Sequence, residues 1–141
     1  MRVTVIGIGT RNGDDAAGLD VAAALAALPL PPAVEVIRCE RPLPDLLDAL
    51  ADADAAVIVD AARGVAAPGC ARRVAREELA QLVATSSHGF GVAHALALVE
   101  ALGRAPKRVE LVATEGGGDA AVDAGVRLVL DLIDSLACAG G

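Results

Sequence analysis

Residues 2–18 of the chain, RVTVIGIGTRNGDDAAG, decide the fold. Within them the β-branched run Arg2–Ile8 stops at Gly9, which predicts a buried strand. After the acidic pair Asp14-Asp15, apolar residues recur at the spacing of one helix face, at Leu19, Val21, Ala22, Leu25 and Leu28. We expect this helix to stop before the prolines that follow it, and a strand–loop–helix unit of this kind opens an α/β domain.

The rest of the chain continues the alternation of strands and helices. Strands are predicted at Val34–Arg38, Ala55–Val59, Arg72–Arg76 (short, at an edge) and Val109–Ala113. Helices are predicted at Leu43–Ala51, Gly91–Leu102 and Ala120–Leu136, with a brief helical turn at Glu77–Leu82. This order indicates an α/β three-layer sandwich, in which a mostly parallel, twisted sheet of about five strands carries helices on both faces. No repeat or linker interrupts the pattern, so we expect one domain over residues 1–141.

The composition excludes some classes of partner. The chain is 55% hydrophobic but only 1% aromatic, and its formal net charge is −7. Binding to nucleic acids and to anionic membranes is driven by Lys and Arg, so neither partner is expected. No apolar run approaches the roughly 20 residues of a membrane span, and the amino terminus does not have the pattern of a signal peptide. These features predict a cytoplasmic protein.

The three cysteines, Cys39, Cys70 and Cys138, are odd in number and widely spaced. This pattern fits neither a disulfide framework nor a zinc knuckle. We therefore expect reduced thiols in the core or at the surface.

One basic cluster stands out in this acidic chain, formed by Arg72, Arg73 and Arg76. A solvated edge strand is the simpler interpretation of the cluster. A contact with an acidic substrate surface is the alternative.

Potential metal ligands lie next to three of the predicted elements. In open α/β sheets, ligands bind at the carboxyl ends of the strands. Asp14 and Asp15 follow the first strand, Asp60 ends the third, and His88 directly precedes a helix. We expect Asp14 to cap the first helix, which leaves Asp15 for a ligand or catalytic role. Two carboxylates and one imidazole would suit a divalent ion of borderline softness, nickel or zinc, if the fold brings them together.

The same loop could instead be compared with a dinucleotide-binding loop. Gly7, Gly9 and Gly13 give the pattern G-x-G-x-x-x-G, which is one residue longer than the usual fingerprint. The carboxylates of Asp14 and Asp15 would also stand where a pyrophosphate has to bind, and they would repel it. A nucleotide-binding α/β domain is therefore the disfavoured alternative.

Three segments, in the same order along the chain, resemble the motifs of the hydrogenase maturation endopeptidases. Val5–Gly9 with Gly13–Gly18 resembles the opening G-x-G-N…G-D-[DE]-G-x-G of that family. Val57–Ala61, followed by Pro68-Gly69, resembles its V-x-D-A…P-G segment, and Ser86–Gly91 resembles its S-x-H-G segment before a helix. Some positions differ, since Thr10 replaces the usual Asn and Ala16 stands where the family often has Gly.

The resemblance implies an aspartyl-type endopeptidase that removes the C-terminal extension of a nickel-loaded hydrogenase large-subunit precursor. The metal-contacting positions of the family fall on Asp15, Asp60 and His88, and Asp15 and Asp60 are the implied catalytic residues. The implied nickel is carried by the substrate. Either the metal polarises the reacting groups or it only anchors the substrate while a carboxylate acts as the base. A non-catalytic nickel-sensing or scaffold relative is the second interpretation, which retention of all three donors disfavours.

Overall fold

Five strands and four helices lie in the part of the chain that the computed structural model describes, residues 2–10, 16–51, 53–79 and 89–140. The strands are β1 (Val3–Ile8), β2 (Val34–Cys39), β3 (Ala55–Ala62), β4 (Ala71–Val74) and β5 (Arg108–Glu115). The helices are α1 (Ala17–Ala26), α2 (Pro42–Ala51), α3 (Gly89–Ala101) and α4 (Asp119–Gly140), and a 3₁₀ turn spans Arg76–Glu78.

The strands form one sheet in the order β2-β1-β3-β5-β4. All neighbouring pairs are parallel except β4 with β5, which is antiparallel. Helices α1 and α4 contact each other on one face of the sheet, and α2 and α3 contact each other on the opposite face. The predicted three-layer sandwich with a mostly parallel sheet is therefore confirmed.

The centre of the sheet is buried on both faces. Every residue of β1 is buried, and only Asp60 in β3 is partly exposed. Valine side chains of these strands pack under α1 and α4, whereas Ile6, Ile8 and Ile58 pack under α2 and α3. A parallel strand that is covered on both sides must be apolar along its whole length, which explains the continuous β-branched runs in the sequence.

Two glycines allow α1 to lie directly against the backbone of the sheet. A Cβ atom on Gly7 would overlap the carbonyl oxygen of Gly18 and would lie 2.7 Å from the Cβ atom of Ala22. A Cβ atom on Gly18 would overlap the carbonyl oxygen of Ile8 and would lie 2.7 Å from the carbonyl oxygen of Val59. Gly7, the first glycine of the opening motif, thus allows close contact between helix and strand.

The elements differ from their predicted bounds mainly at their ends. The first helix ends at Ala26, and Leu28 is 41% exposed beyond it, because a residue before proline disfavours helical geometry. Strand β3 runs on to Ala62 because β5 pairs with it as far as Ala62 and Glu115. Helix α4 continues past the predicted Leu136 to Gly140. Of the predicted turn Glu77–Leu82, positions 80–82 lie outside the described residues.

Within the described ranges, no helix combines the length and the apolar character needed to cross a membrane. The longest of these helices, α4, alternates buried residues such as Val129 and Ile133 with exposed charged residues such as Asp131 and Asp134. This pattern is typical of a helix that covers a sheet.

Replacing Gly18 with alanine tests the contact between α1 and the sheet. Alanine is the better helix former by about 1 kcal/mol, so propensity alone predicts stabilisation. We expect the opposite result, a loss of about 3 kcal/mol in the free energy of unfolding, because the new methyl group overlaps the backbone of Ile8. Urea unfolding measures this loss in the free energy of unfolding. Ala23→Gly, at an exposed position of the same helix, is the control and should cost only about 1 kcal/mol. A stabilised Gly18→Ala variant would contradict the packing described above.

Candidate functional site

Asp60 lies near the carboxyl end of β3, at the point where the winding of the sheet reverses. From β1 the chain passes to β2 on one side, and then returns to β3 on the other side of β1. Pairing between β1 and β3 ends at Gly7 and Val59, whereas pairing between β3 and β5 continues to Ala62 and Glu115. Such a topological switch point leaves a crevice outside the strand ends, where ligands of open α/β sheets bind.

The side chain of Asp60 belongs to the face of the sheet that α2 and α3 cover. Successive side chains of a strand point to opposite faces of the sheet, so Asp60 shares a face with Ile58 and Ala62. Both of these residues are part of the core under α2 and α3. Helix α2 begins three residues after the carboxyl end of β2. The carboxyl ends of α2 and α3 lie side by side, since Ala51, Val99 and Leu102 line one groove there. The two helices therefore run in the same direction, and α3, like α2, begins at the edge of the sheet where β3 ends. Their positive dipole ends favour negative charge at that edge.

Cys39 is a buried neighbour of this crevice. The side chain is 1% exposed, at the carboxyl end of β2. Burial, and further the negative charges of Asp45 and Asp60, raise the pKa of the Cys39 thiol to about 11. The thiolate is the nucleophilic and metal-binding form, so Cys39 is inert as either at neutral pH. The expectation of a core thiol is confirmed for this cysteine, and Cys70 and Cys138 are exposed free thiols.

Glu115, the last residue of β5, bonds to the loop that follows β3. Its carboxylate accepts backbone N–H groups from Val65 at 2.7 Å and from Gly64 and Ala66 at 3.1 Å each. These bonds, chiefly those from Ala66 and Val65, lower the pKa of the Glu115 carboxyl group. No motif or periodicity in the sequence marks Glu115 for this role. The signal that could have revealed it is the residue 63–69 segment, which contains no Ser, Thr, Asn or Asp to satisfy its own N–H groups.

Arg72 of β4 bonds to the same loop from another side. Its Nε donates to the carbonyl oxygen of Val65 at 2.8 Å, and its Nη2 donates to Glu78 at 2.8 Å. The side-chain bond from Arg72 and the backbone N–H of Ala75 lower the pKa of Glu78 to about 2. Each arginine of the basic cluster forms an ion pair with a glutamate of this chain: Arg72–Glu78, Arg73–Glu110 and Arg76–Glu100. These pairs support the interpretation of the cluster as a solvated edge of the sheet, with Arg72 and Arg73 on β4 and Arg76 in the 3₁₀ turn that follows it.

Of the three predicted site residues, the structure describes Asp60 alone. Asp15 and His88 lie outside the described residues, as does Asp14. The N-cap position of α1 is occupied by Ala16, whose side chain makes no capping hydrogen bond. The cap predicted for Asp14 falls on a residue outside the described ranges and stays a prediction. Across the ranges that are described, no three His, Cys, Asp or Glu side chains are grouped as a metal site would require. The predicted set of Asp15, Asp60 and His88 remains a prediction.

Thiol counting tests the environment of Cys39. In the native protein we expect two thiols, those of Cys70 and Cys138, to react rapidly with an aromatic disulfide reagent at pH 8. The third should react only after unfolding in guanidinium, because Cys39 is both inaccessible and protonated. Three rapidly reacting thiols in the native state would contradict the burial of Cys39. A Cys39→Ala variant, with two reactive thiols before and after unfolding, assigns the slow group.

The bonds to Glu115 predict a loss of stability in acid. An unfolded glutamate has a pKa of about 4.3, and the folded-state pKa of Glu115 is lower. Its contribution to stability is complete above the unfolded pKa and is lost as the pH falls through the folded pKa, because the unfolded chain then binds more protons. Urea unfolding should therefore show a large difference between wild type and Glu115→Gln at pH 7 and a smaller one near pH 3. A difference that does not change with pH would contradict this assignment.

Comparison with known proteins identifies the family. The model of the hydrogenase maturation protease family, HycI, matches residues 20–117, more than half of the chain. No curated protein matches the chain. The structure is similar to the hydrogenase maturating endopeptidase HybD from Escherichia coli, with 26% identity, a TM-score of 0.77 and coverage of 96% of this chain and 93% of that one. It is also similar to the [NiFe] hydrogenase maturation protease HycI from Thermococcus kodakarensis, with 25% identity, a TM-score of 0.66 and coverage of 94% and 89%. The chain belongs to the hydrogenase maturation protease family.

Proposed function

We propose that this protein is the endopeptidase that removes the C-terminal extension from the large-subunit precursor of a [NiFe] hydrogenase. The observation that carries the proposal is the family match over residues 20–117, in a fold that has Asp60 at the switch-point crevice. In this proposal the partner is the precursor, and the reaction takes place in the cytoplasm.

The described residues next to Asp15 and His88 support a role for both in the same site. Gly18, three residues after Asp15, lies against the carbonyl oxygen of Val59, which directly precedes Asp60. Gly89, the residue after His88, begins α3 at the edge of the sheet where β3 ends. The proposal therefore assigns Asp15, Asp60 and His88 to one crevice.

Two carboxylates and one imidazole suit Ni²⁺, and we propose that they bind the nickel that the precursor carries. Binding the metal of the substrate would hold the adjoining peptide segment in the crevice, so only a precursor with inserted nickel would be aligned for cleavage. Recognition of the metal and cleavage of the chain are then coupled.

The cleavage step proposed here is hydrolysis with a carboxylate as general base. Asp15 or Asp60 accepts a proton from water, and the oxygen of that water adds to the carbonyl carbon of the scissile bond. The C–N bond then breaks, and the departing amine takes up a proton. The thiol of Cys39 stays protonated at neutral pH because its pKa is raised to about 11, so it is not available as a nucleophile, which favours a route without an acyl-enzyme.

Incubation with nickel-loaded and nickel-free precursor tests the proposal. We expect wild-type protein to remove the extension only from the nickel-loaded form, as seen by mass spectrometry. Asp60→Asn and Asp15→Asn should slow cleavage by at least about 100-fold, since even partners that only orient metal ligands contribute 10- to 100-fold. Asp131→Asn, at an exposed position of α4, is the matched control and should cleave at the wild-type rate.

The outcomes separate the alternatives. Equal cleavage of both precursors would contradict metal recognition while leaving the endopeptidase activity in place. No cleavage of either form, by a chain that still binds the nickel-loaded precursor, would favour the nickel-sensing or scaffold relative. Full activity of Asp60→Asn would contradict the placement of the catalytic site at the switch point.

A further inference from the structure

The loop of residues 63–69 connects β3 to β4 beside the proposed active site. It begins three residues after Asp60, and both of its ends lie at the carboxyl edge, since Glu115 pairs with Ala62 before the loop and bonds to Cys70 after it. The loop contains one charged residue and otherwise only Gly, Val, Ala and Pro. It contains no Ser, Thr, Asn or Asp side chain that could bond to its own backbone.

Groups from outside the loop fix its backbone instead. The N–H of Val65 donates to Glu115, and the carbonyl oxygen of Val65 accepts from Arg72, so both sides of this residue are held. Gly64 and Gly69 have φ values of +75° and +80°, which let the chain turn sharply at each end. At the exit, the N–H of Gly69 donates to the backbone oxygen of Glu115 at 3.2 Å.

The carboxylate of Glu115 does more than the sheet requires of it. The backbone of Glu115 already bonds to Cys70 and Gly69, which closes the end of the sheet. The side chain is nevertheless directed to three N–H groups of the loop, and hydrogen bonds to an ionised acceptor are about twice as strong as neutral ones. Apart from Arg63, the exposed residues of the loop are the small residues Gly64, Ala67 and Pro68, which an extended chain can approach closely.

We propose that Glu115 is a positioning residue, whose carboxylate holds the 63–69 loop as a preformed wall of the crevice against which the extended tail of the precursor lies. This inference rests on the proposed function. A wall that is already ordered does not lose conformational freedom when the peptide binds, so its rigidity contributes directly to affinity. Arg72 supports the same wall from the opposite side of Val65.

The test compares Glu115→Gln with Glu110→Gln, at a temperature where both variants are fully folded. Glu110 is on the same strand and also accepts hydrogen bonds, but from Arg73 and Arg108, away from the loop. We expect Glu115→Gln to lower kcat/KM roughly tenfold, mainly through a higher KM, because contacts made equally to ground and transition states act on KM. Glu110→Gln should stay within about twofold of wild type in both constants, because its ion pairs with Arg73 and Arg108 lie away from the loop.

Hydrogen exchange provides a readout that does not depend on activity. The amides of Val65 and Ala66 should lose protection in Glu115→Gln and keep it in Glu110→Gln. Arg72→Gln, which removes the bond to the carbonyl oxygen of Val65, is the second variant and should raise KM in the same direction.

The result can be distinguished from failure of the proposed function. If wild type cleaves the precursor and Asp60→Asn does not, the function stands, and unchanged KM values in both Glu115→Gln and Arg72→Gln would overturn the positioning role alone. A lower melting temperature in Glu115→Gln with kinetic constants equal to those of wild type would also overturn it, because that result describes a purely structural bond. If the wild-type protein cleaves no precursor, both proposals fail.

Discussion

The contact between α1 and the backbone of the sheet is the constraint on which the carboxyl edge depends. Gly7 and Gly18 have no side chains at the point where the first turn of the helix crosses β1 and approaches β3. A methyl group at either position would overlap main-chain atoms, which cannot move without displacing a strand. Because Gly18 lies against Val59, the start of α1 and the carboxyl end of β3 are held together. The location of the crevice therefore follows from packing.

The acids around this edge are distinguished by the groups that contact them. Glu115 accepts three backbone N–H groups, and Glu78 accepts bonds from Arg72 and from the backbone of Ala75. Both have lowered pKa values, since their partners stabilise the ionised form, and both are used to hold the chain in place. Asp60 differs in position: it lies at the switch point, on the face covered by α2 and α3. The position of Asp60 at the switch point, more than its charge, makes this residue the candidate for the active site.

The sequence was sufficient to predict the features that depend on local patterns. Continuous β-branched runs predicted the buried strands, because a strand that is covered on both faces must be apolar along its length. Helical spacing of apolar residues predicted the helices, because a helix that covers a sheet buries only one face. The end of β3 was predicted too early, since the strand is extended past Asp60 by pairing with β5, which lies about fifty residues away. The sequence did not predict a role for Glu115. Its role depends on three N–H groups of a loop far away in sequence, and no periodicity encodes such a contact.

The combination of a held loop and an adjoining acidic crevice also explains how a small, nearly non-aromatic domain can bind a peptide. With 1% aromatic residues, the chain has few of the large anchors that commonly dominate recognition surfaces. Affinity then has to come from backbone contacts and from surfaces that are ordered before binding. The 63–69 loop meets this requirement because Glu115 and Arg72 fix its backbone, while its exposed residues other than Arg63 are small. In the proposed mechanism the loop forms a rigid wall on one side of the crevice, and the proposed ligands Asp15, Asp60 and His88 would bind the metal of the substrate on the other side. Alignment of one peptide bond would then depend on both contacts, and neither alone would be selective.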